Sequence, residues 1–391
     1  MTDASDIVIV SARRTAMRGF QGDFRDTTAP ELGAAALKAA VSDAQLAATE
    51  VDQVVMGCVL PAGQGQAPAR QAALKAGLDL STACVTLNKM CGSGMQAVMN
   101  AHDTLKAGSA GIIAAGGMES MTNAPYLLPK ARSGYRMGHG RVMDHMFLDG
   151  LEDAYEPGRA MGTFAEECAR SYQFTRAEQD GYALESLARA NAAIAKGAFA
   201  AEITAVATRA GDVSVDEQPG KARPEKIPNL KPAFAADGTV TAANSSSISD
   251  GAAALVMMRR ATAQARGLSP LASIMGHGVH AQAPALFTTA PVPAIGKLLE
   301  RLGWTVDGTD LFEVNEAFAV VTMAAMRELG IPHTKVNVNG GATALGHPIG
   351  ASGARILVTL IHALRARGGG TGVAALCIGG GEATAVALRV H

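Results

Sequence analysis

Asn88-Lys89-Met90-Cys91-Gly92-Ser93-Gly94-Met95 sets a cysteine at the mouth of a helix. Beyond it, Met95, Val98, Met99 and Leu105 recur at helical spacing, and Lys106-Ala107-Gly108 supplies a C-terminal stop with glycine in the C-cap region. Cys91 therefore precedes the first turn. The free amides and positive dipole end found there favour a thiolate, the nucleophilic form of the side chain. Gly92 and Gly94 let backbone come close to whatever Cys91 attacks. A free cysteine taken alone is more often a small buried hydrophobe, and it is the setting that argues for chemistry.

Outward from this stretch, strands and helices alternate. Ile7 to Val10 reads as a strand covered on both faces, because its apolar run is continuous. Pro30 to Ala40 reads as a helix with Thr28 and Pro30 at its start, and Val51 to Met56 as a strand. The glycine-rich turn 61–66 leads to an alanine-rich helix ending near Lys75. Val85 to Leu87 is the strand before Cys91, and Ile112 to Ala115 the strand after its helix, running into Gly116-Gly117. This rhythm predicts a largely parallel sheet with helices on its faces.

From Thr122 to about Ser249 the character changes, with more Pro, Arg, Lys and Met and a periodic helix over Glu178 to Lys196. Within it, Pro219 to Pro232 interleaves prolines with Lys221, Arg223, Lys226 and Lys231. A long irregular segment inside a compact protein is commonly a functional loop or lid, and the cations are either a solvated surface or a phosphate contact. After Asp250-Gly251 the strand-helix rhythm returns and repeats the first half. A helix over Pro293 to Leu302 and a strand Leu311 to Val314 lead to Asn315-Glu316-Ala317-Phe318. The turn 340–350 then opens a helix carrying Ile356, Leu357, Leu360, Ile361 and Leu364, followed by the strand Val373 to Ile378 and Gly379-Gly380-Gly381. Helix, glycine end, strand and glycine pair recur in order. The chain reads as an internal duplication of one layered α/β unit.

The duplication puts His347 where Cys91 stands in the first half, so the two helix mouths of a pseudo-symmetric core would bring a thiol beside an imidazole. Cys377 and Asn315 lie at strand ends, where open α/β sheets place their ligands. Each has an ordinary structural reading: His347 a satisfied core histidine, Cys377 a packing residue, Asn315 a turn cap. Together they offer a nucleophile, a base, a second thiol able to move a proton, and backbone amides near Cys91 and Gly379 for an oxyanion.

Composition limits the alternatives. At 391 residues the chain exceeds the roughly 250–300 at which one core stops growing. With 48% hydrophobic and 18% charged residues it can bury a large interior, and a formal net charge of -1 leaves no global field for nucleic acid or a membrane surface. Five cysteines, an odd number without a Cys-x-x-Cys pair, argue for free thiols in a reducing compartment. Met1 to Asp6 is polar and acidic rather than signal-like, and no apolar stretch approaches a membrane span. A cytoplasmic location is expected.

Five motifs, Asn88 to Val98, Gly116 to Met121, Asn315 to Ala319, Gly346 to Arg355 and Cys377 to Glu382, together resemble the thiolase family, in the family's order and over essentially the whole chain. The resemblance implies a thiolase-like duplicated α/β core, five-layered as αβαβα, with an inserted loop domain. It divides the chain into an N-terminal half 1–121, a loop domain 122–249 covering coenzyme A, a return 250–270 to the N-terminal half, and a C-terminal half 271–391. It implies a reversible ping-pong condensation of two acetyl-CoA to acetoacetyl-CoA and CoA through an acyl-Cys91 intermediate. His347 would take the thiol proton and bind the enolate oxygen with a water held by Asn315. Cys377 would move the α proton, and the amides of Cys91 and Gly379 would hold the oxyanion. Ser246 would touch pantetheine, Lys221 or Arg223 the nucleotide, and Met161, Phe318 and Phe287 would line the substrate site. No metal or separate cofactor is implied, coenzyme A being substrate and product. Pro125 to Met143 resembles a tetramerisation loop, so a homotetramer is expected.

The chain departs from the family pattern twice. Ala160-Met161-Gly162 stands where many biosynthetic members carry His-Met-Gly, which bears on acyl-chain preference, and Ala383 replaces a final glycine. Two other readings are a broad-range or degradative 3-ketoacyl-CoA thiolase and a non-catalytic acyl-CoA-binding protein. A ketoacyl synthase of the same superfamily would carry a histidine in place of Asn315 and no cysteine at 377.

Overall fold

The continuous apolar run at the N-terminus serves two cores at once. In a computed structural model that describes residues 4, 6–209 and 211–391, Ile7–Thr15 forms β1. Residues 1–3 and 5 of the acidic N-terminal stretch lie outside the described residues. Side chains alternate across a strand, so Ile7 and Ile9 enter one apolar cluster while Val8 and Val10 enter another.

The remaining principal elements are α1 (Ala29–Asp43), β2 (Gln53–Gly57), α2 (Pro68–Lys75), β3 (Ala83–Leu87), α3 (Ser93–Ala107), β4 (Ile112–Ser120), α4 (Met161–Tyr172), α5 (Arg176–Ala195) and β5 (Ser249–Arg259). The C-terminal half follows with β6 (Ala272–Ala281), α6 (Pro291–Leu302), β7 (Leu311–Val314), α7 (Ala319–Leu329), α8 (Ile349–Arg365), β8 (Gly370–Ile378) and β9 (Glu382–Val390). The strands order as β3-β2-β4-β5-β1-β6-β9-β8-β7. The β1–β6 junction consists only of Val8↔Ser273 and Ile9↔Ala272, so two sheets meet there at one corner.

The expectation of a largely parallel sheet is corrected. Among the principal strands described, β2/β3, β2/β4 and β7/β8 are parallel, the short stretch Ile203–Thr204 adds a parallel pairing to the end of β1, and the centre is antiparallel. Two features the alternating rhythm concealed explain this. The chain returns to the first sheet along β5, which lies between β1 and β4. Gly379 to Gly381 is a tight turn from β8 into β9, and so short a connection can join only antiparallel neighbours. Gly116 and Gly117 likewise lie inside β4 rather than at its end.

Helices α3 and α8 form the middle layer. Their apolar faces share one cluster with Ile113, Ala115 and Leu255 of one sheet and Ala374, Leu376 and Leu388 of the other. The opposite sheet faces are covered by α1 and α2 on one side and α6 on the other. The result is five layers, helix, sheet, helix pair, sheet, helix, as the family resemblance implies. No helix among the described residues is long and apolar enough to cross a membrane.

The inserted segment is tied to β1 by a buried ion cluster. The Arg14 guanidinium lies 2.7 and 2.8 Å from the two Asp216 carboxylate oxygens and 2.6 Å from Glu202 Oε1, all fully or nearly fully buried. Such a cluster costs several kcal/mol of desolvation per ion, recovered only when the hydrogen bonds are satisfied, so it fixes where the segment docks. Within the segment, Tyr126–Leu127 pairs with Met143–Asp144 to form a hairpin whose tip exposes Leu128, Tyr135, Met137 and Val142.

Candidate active site

The Cys91 turn is held by one hydroxyl. Ser93 Oγ accepts from Lys89 N at 2.8 Å and donates to Met90 O at 2.6 Å. Met90 is forced to φ +47°, a left-handed conformation uncommon for a non-glycine residue, and this sharp bend lifts Cys91 to the start of α3. A Cβ on Gly92 would lie 2.4 Å from Ile378 Cδ1, so the bend packs directly against the end of β8. Lys89 Nζ reaches Glu382 Oε2 at 2.7 Å and adds a second tie between the halves.

The two helix mouths meet through glycines. A Cβ on Gly94 would stand 2.9 Å from Ala354 N and 3.0 Å from Gly350 O, and one on Gly353 would stand 2.4 Å from Met95 N. No other residue permits α3 and α8 to approach so closely. Underneath, the buried Glu119 carboxylate accepts from Val59 N, Leu60 N and Gly350 N at 2.9, 3.2 and 2.9 Å, joining β4 to the first turn of α8.

His347 stands just before α8 and follows Gly346, whose φ of +107°, together with the 2.2 Å at which a Cβ would meet Ser249 Oγ, excludes a side chain. Its Nδ1 lies 2.6 Å from Ser352 Oγ, and Ser352 Oγ lies 3.0 Å from Pro348 O. The Pro348 carbonyl can only accept, so the serine donates to it and accepts from Nδ1–H. The Nε2 of His347 is left as a bare, buried lone pair, and it has no hydrogen-bond partner. Burial first, then the positive Arg355, pulls this imidazole down to about 3, so at neutral pH it is a neutral base.

Cys91 is half-buried, and the amides of Gly379 and of Cys91 itself point at its sulfur. Burial nevertheless outweighs them and, with a smaller push from Glu119, raises the thiol to about 11. The expectation that the helix mouth alone yields a thiolate is therefore corrected. Removing the sulfur from water costs more than the dipole returns, and the thiol needs a base.

Cys377 is buried at the end of β8, its thiol pushed well up by burial and then by neighbouring Cys91. Asn315 ends the adjacent β7, its N–H donating to Ala375 O at 3.0 Å. Both polar atoms of its buried side chain lack partners, a state native interiors rarely leave without a water or ligand. Phe287 and Phe318 share an apolar cluster with Cys377, against which Met161 and Phe234 also pack. Met161 Cε lies 3.5 Å from where a Gly379 Cβ would be.

Ser246 sits in a segment that stitches these pieces together. Ser245 bridges Phe318, Ser246 N donates to Ala317 O at 3.0 Å, and Ser247 O accepts from His347 N at 3.1 Å. Lys221 and Arg223 line a cavity of about 340 Å³ with Lys226, Ser247 and Thr343. Lys221 is also bound to Glu217, which leaves Arg223 and Lys226 as the cavity's other cations. Ala160 borders a separate open cavity of about 570 Å³ with Arg159 and Phe234.

Sequence reasoning gave no role to Glu316, although this residue holds the Asn315 loop. The buried carboxylate accepts from Tyr182 Oη, Ser186 Oγ and Asn337 Nδ2, each at 2.8 Å, and from Thr343 N and Oγ at 3.0 and 2.6 Å. Glu119 and Ser352 were passed over in the same way. An acidic residue inside an otherwise apolar run, as in Gly117-Met118-Glu119, was the available signal.

The thiolase N-terminal domain model matches residues 7–261, and the thiolase C-terminal domain model matches residues 268–390. The chain belongs to the thiolase family. It is 51% identical over 388 residues to the acetyl-CoA acetyltransferase of Escherichia coli, covering 98% of each chain. The acetyl-CoA acetyltransferase of Pseudomonas aeruginosa is 48% identical over 389 residues, covering 98% of this chain and 99% of the relative. Among solved structures, the Acat5 thiolase from Ascaris suum in complex with coenzyme A superposes with a TM-score of 0.95 at 40% identity, covering 99% of this thiolase and all of that one. The thiolase core is thus matched end to end.

Proposed function

We propose that this thiolase is an acetyl-CoA C-acetyltransferase that condenses two acetyl-CoA to acetoacetyl-CoA and CoA, reversibly, through an acyl-enzyme on Cys91. The observations that carry the reading are a half-buried neutral thiol at Cys91 and an unpartnered Nε2 on His347, at two helix mouths packed against each other. The imidazole takes the Cys91 proton as the sulfur attacks the thioester carbonyl. The amides of Gly379 and Cys91, already aimed at the sulfur, receive the oxyanion, and CoA leaves as thiol with the proton of Cys377, so that His347 keeps its Nε2–H and Cys377 is left as thiolate. Oxyanion donors of this kind are worth about 3–4 kcal/mol each in barrier.

Cys377 then takes an α proton from the second acetyl-CoA. The enolate oxygen is met by His347 Nε2–H and by a water on Asn315, whose side chain is otherwise unpartnered. Carbon–carbon bond formation at the acyl group releases Cys91. Segment 122–249 would cover the CoA, with Ser246 on pantetheine and Arg223 or Lys221 on the nucleotide phosphates. The exposed hairpin tip around Met137 supports a homotetramer built through that loop. No metal or separate cofactor enters any step, and the setting that fits this chemistry is the cytoplasm.

The opening beside Ala160 favours a second reading, a broad-range 3-ketoacyl-CoA thiolase. CoA-dependent thiolysis of a 3-ketoacyl-CoA series of increasing length separates the two. Turnover confined to acetoacetyl-CoA supports the acetyltransferase, persistence on longer chains supports the broad-range enzyme, and no turnover at all contradicts both.

A further inference from the structure

On α3, at the end remote from Cys91, His102 and Asp103 face His277 of β6. Asp103 Oδ1 lies 2.9 Å from His102 Nδ1 and 2.9 Å from His277 Nε2. The three donor atoms all fall within 4.8 Å of one another, and no other group of this kind occurs among the described residues. The imidazoles stand edge to face at 4.9 Å with their side chains only 14% and 18% exposed, whereas Asp103 is 63% exposed. Two half-buried rings are therefore pre-aimed at one oxygen that faces water.

We propose that His102, Asp103 and His277 form a binding site for a zinc-like d-block divalent cation, with water in the fourth position. Zinc bound at about 2.0–2.1 Å in a tetrahedral shell requires donor atoms roughly 3.3 Å apart. The two 2.9 Å contacts need to widen by a few tenths of an ångström, and the two ring nitrogens, which lie within 4.8 Å of each other, need to settle at the same spacing. The chemistry balances without net proton release, because each neutral imidazole moves its proton to the ring nitrogen facing away from Asp103 and offers the freed lone pair.

Lys106, one turn further along α3, places a positive charge near His102 that opposes any cation there. Two imidazoles in the donor set, rather than oxygens alone, select zinc-like metals over the oxygen-seeking ions Ca²⁺ and Mg²⁺. The occupied site would join α3 of the N-terminal half to β6 of the C-terminal half.

The test is Co²⁺ and Zn²⁺ titration of the full-length chain carrying Cys91→Ser, which removes the one half-buried thiol of the active site, against the same chain with His277→Gln or His102→Gln. Expected are one saturable ion per chain, visible Co²⁺ bands without the near-ultraviolet absorption a thiolate ligand adds, and at least tenfold weaker binding in each glutamine variant. The unfolding midpoint should rise with Zn²⁺ only where both histidines are present. In a chelator the His277→Gln chain with Cys91 intact should melt and turn over like wild type, which shows that it folds. Absence of saturable binding, thiolate-type absorption, or affinity in either glutamine variant unchanged from the parent chain would each overturn the site.

Discussion

The Nδ1 of His347 and the Oγ of Ser352 lie 2.6 Å apart, and the serine's own bond to Pro348 O makes it the acceptor in that pair. The proton of the resting imidazole therefore sits on Nδ1, and the nitrogen free for substrate chemistry is Nε2. Replacing Ser352 by alanine leaves a buried N–H unpaired and the ring free to turn, at about 1–3 kcal/mol. Ser352→Ala should lower kcat about 10- to 100-fold and leave KM for acetoacetyl-CoA within a few-fold. Steady-state thiolysis, with circular dichroism as a folding control, reads this directly.

The state of Cys91 makes a second expectation. A thiol raised to about 11 and an imidazole lowered to about 3 both rest neutral, not as a thiolate and imidazolium. Below a thiol's pKa the thiolate fraction rises about tenfold per pH unit. Carbamidomethylation of Cys91, followed on its peptide by mass spectrometry, should keep accelerating between about pH 7 and 9 in the free enzyme. A plateau already reached near neutrality would show a preformed ion pair.

The closeness of the two helix mouths can be altered without touching a reactive group. Gly353→Ala sets a methyl 2.4 Å from Met95 N, and overpacking of this kind costs about 1–3 kcal/mol. The variant should unfold at lower denaturant, and its kcat should fall more than its affinity for CoA, because the cavity proposed for the nucleotide is lined by other elements. Urea unfolding and CoA titration measure the two effects separately.

Glu316 offers a test of support for the site. With five hydrogen bonds converging on its carboxylate, Glu316→Gln leaves several buried donors short of an acceptor. A loss of about 3 kcal/mol is expected, together with reduced turnover because Asn315 adjoins it. Stability near wild type would show that the loop is held by other contacts.

Much of this architecture was legible because it is local. Helical spacing after Met95, Gly108 as the C-cap at φ +80°, and the matching pattern before Arg365 fixed the central helices and the duplication. The glycines of 92–94 and 350–353 marked where backbones meet. What escaped was set by distant partners. The antiparallel centre depends on β5 pairing with β1, far apart in sequence. The role of Glu316 depends on Tyr182 and Ser186 of α5, and the tautomer of His347 depends on a carbonyl at Pro348. The charge state of Cys91 is not legible, because a helix mouth can be read in sequence whereas the burial that outweighs it cannot.

The central claim is that Cys91 carries the acyl group and Cys377 does not. Intact-mass and peptide analysis after brief exposure to acetyl-CoA tests it most directly, in wild type, Cys91→Ser and Cys377→Ala. The account predicts one acetyl adduct per chain, on the Cys91 peptide, in wild type and Cys377→Ala, with condensation lost only after the adduct forms in the latter. An adduct forming on Cys91→Ser at the wild-type rate, or mapping to Cys377, would contradict it.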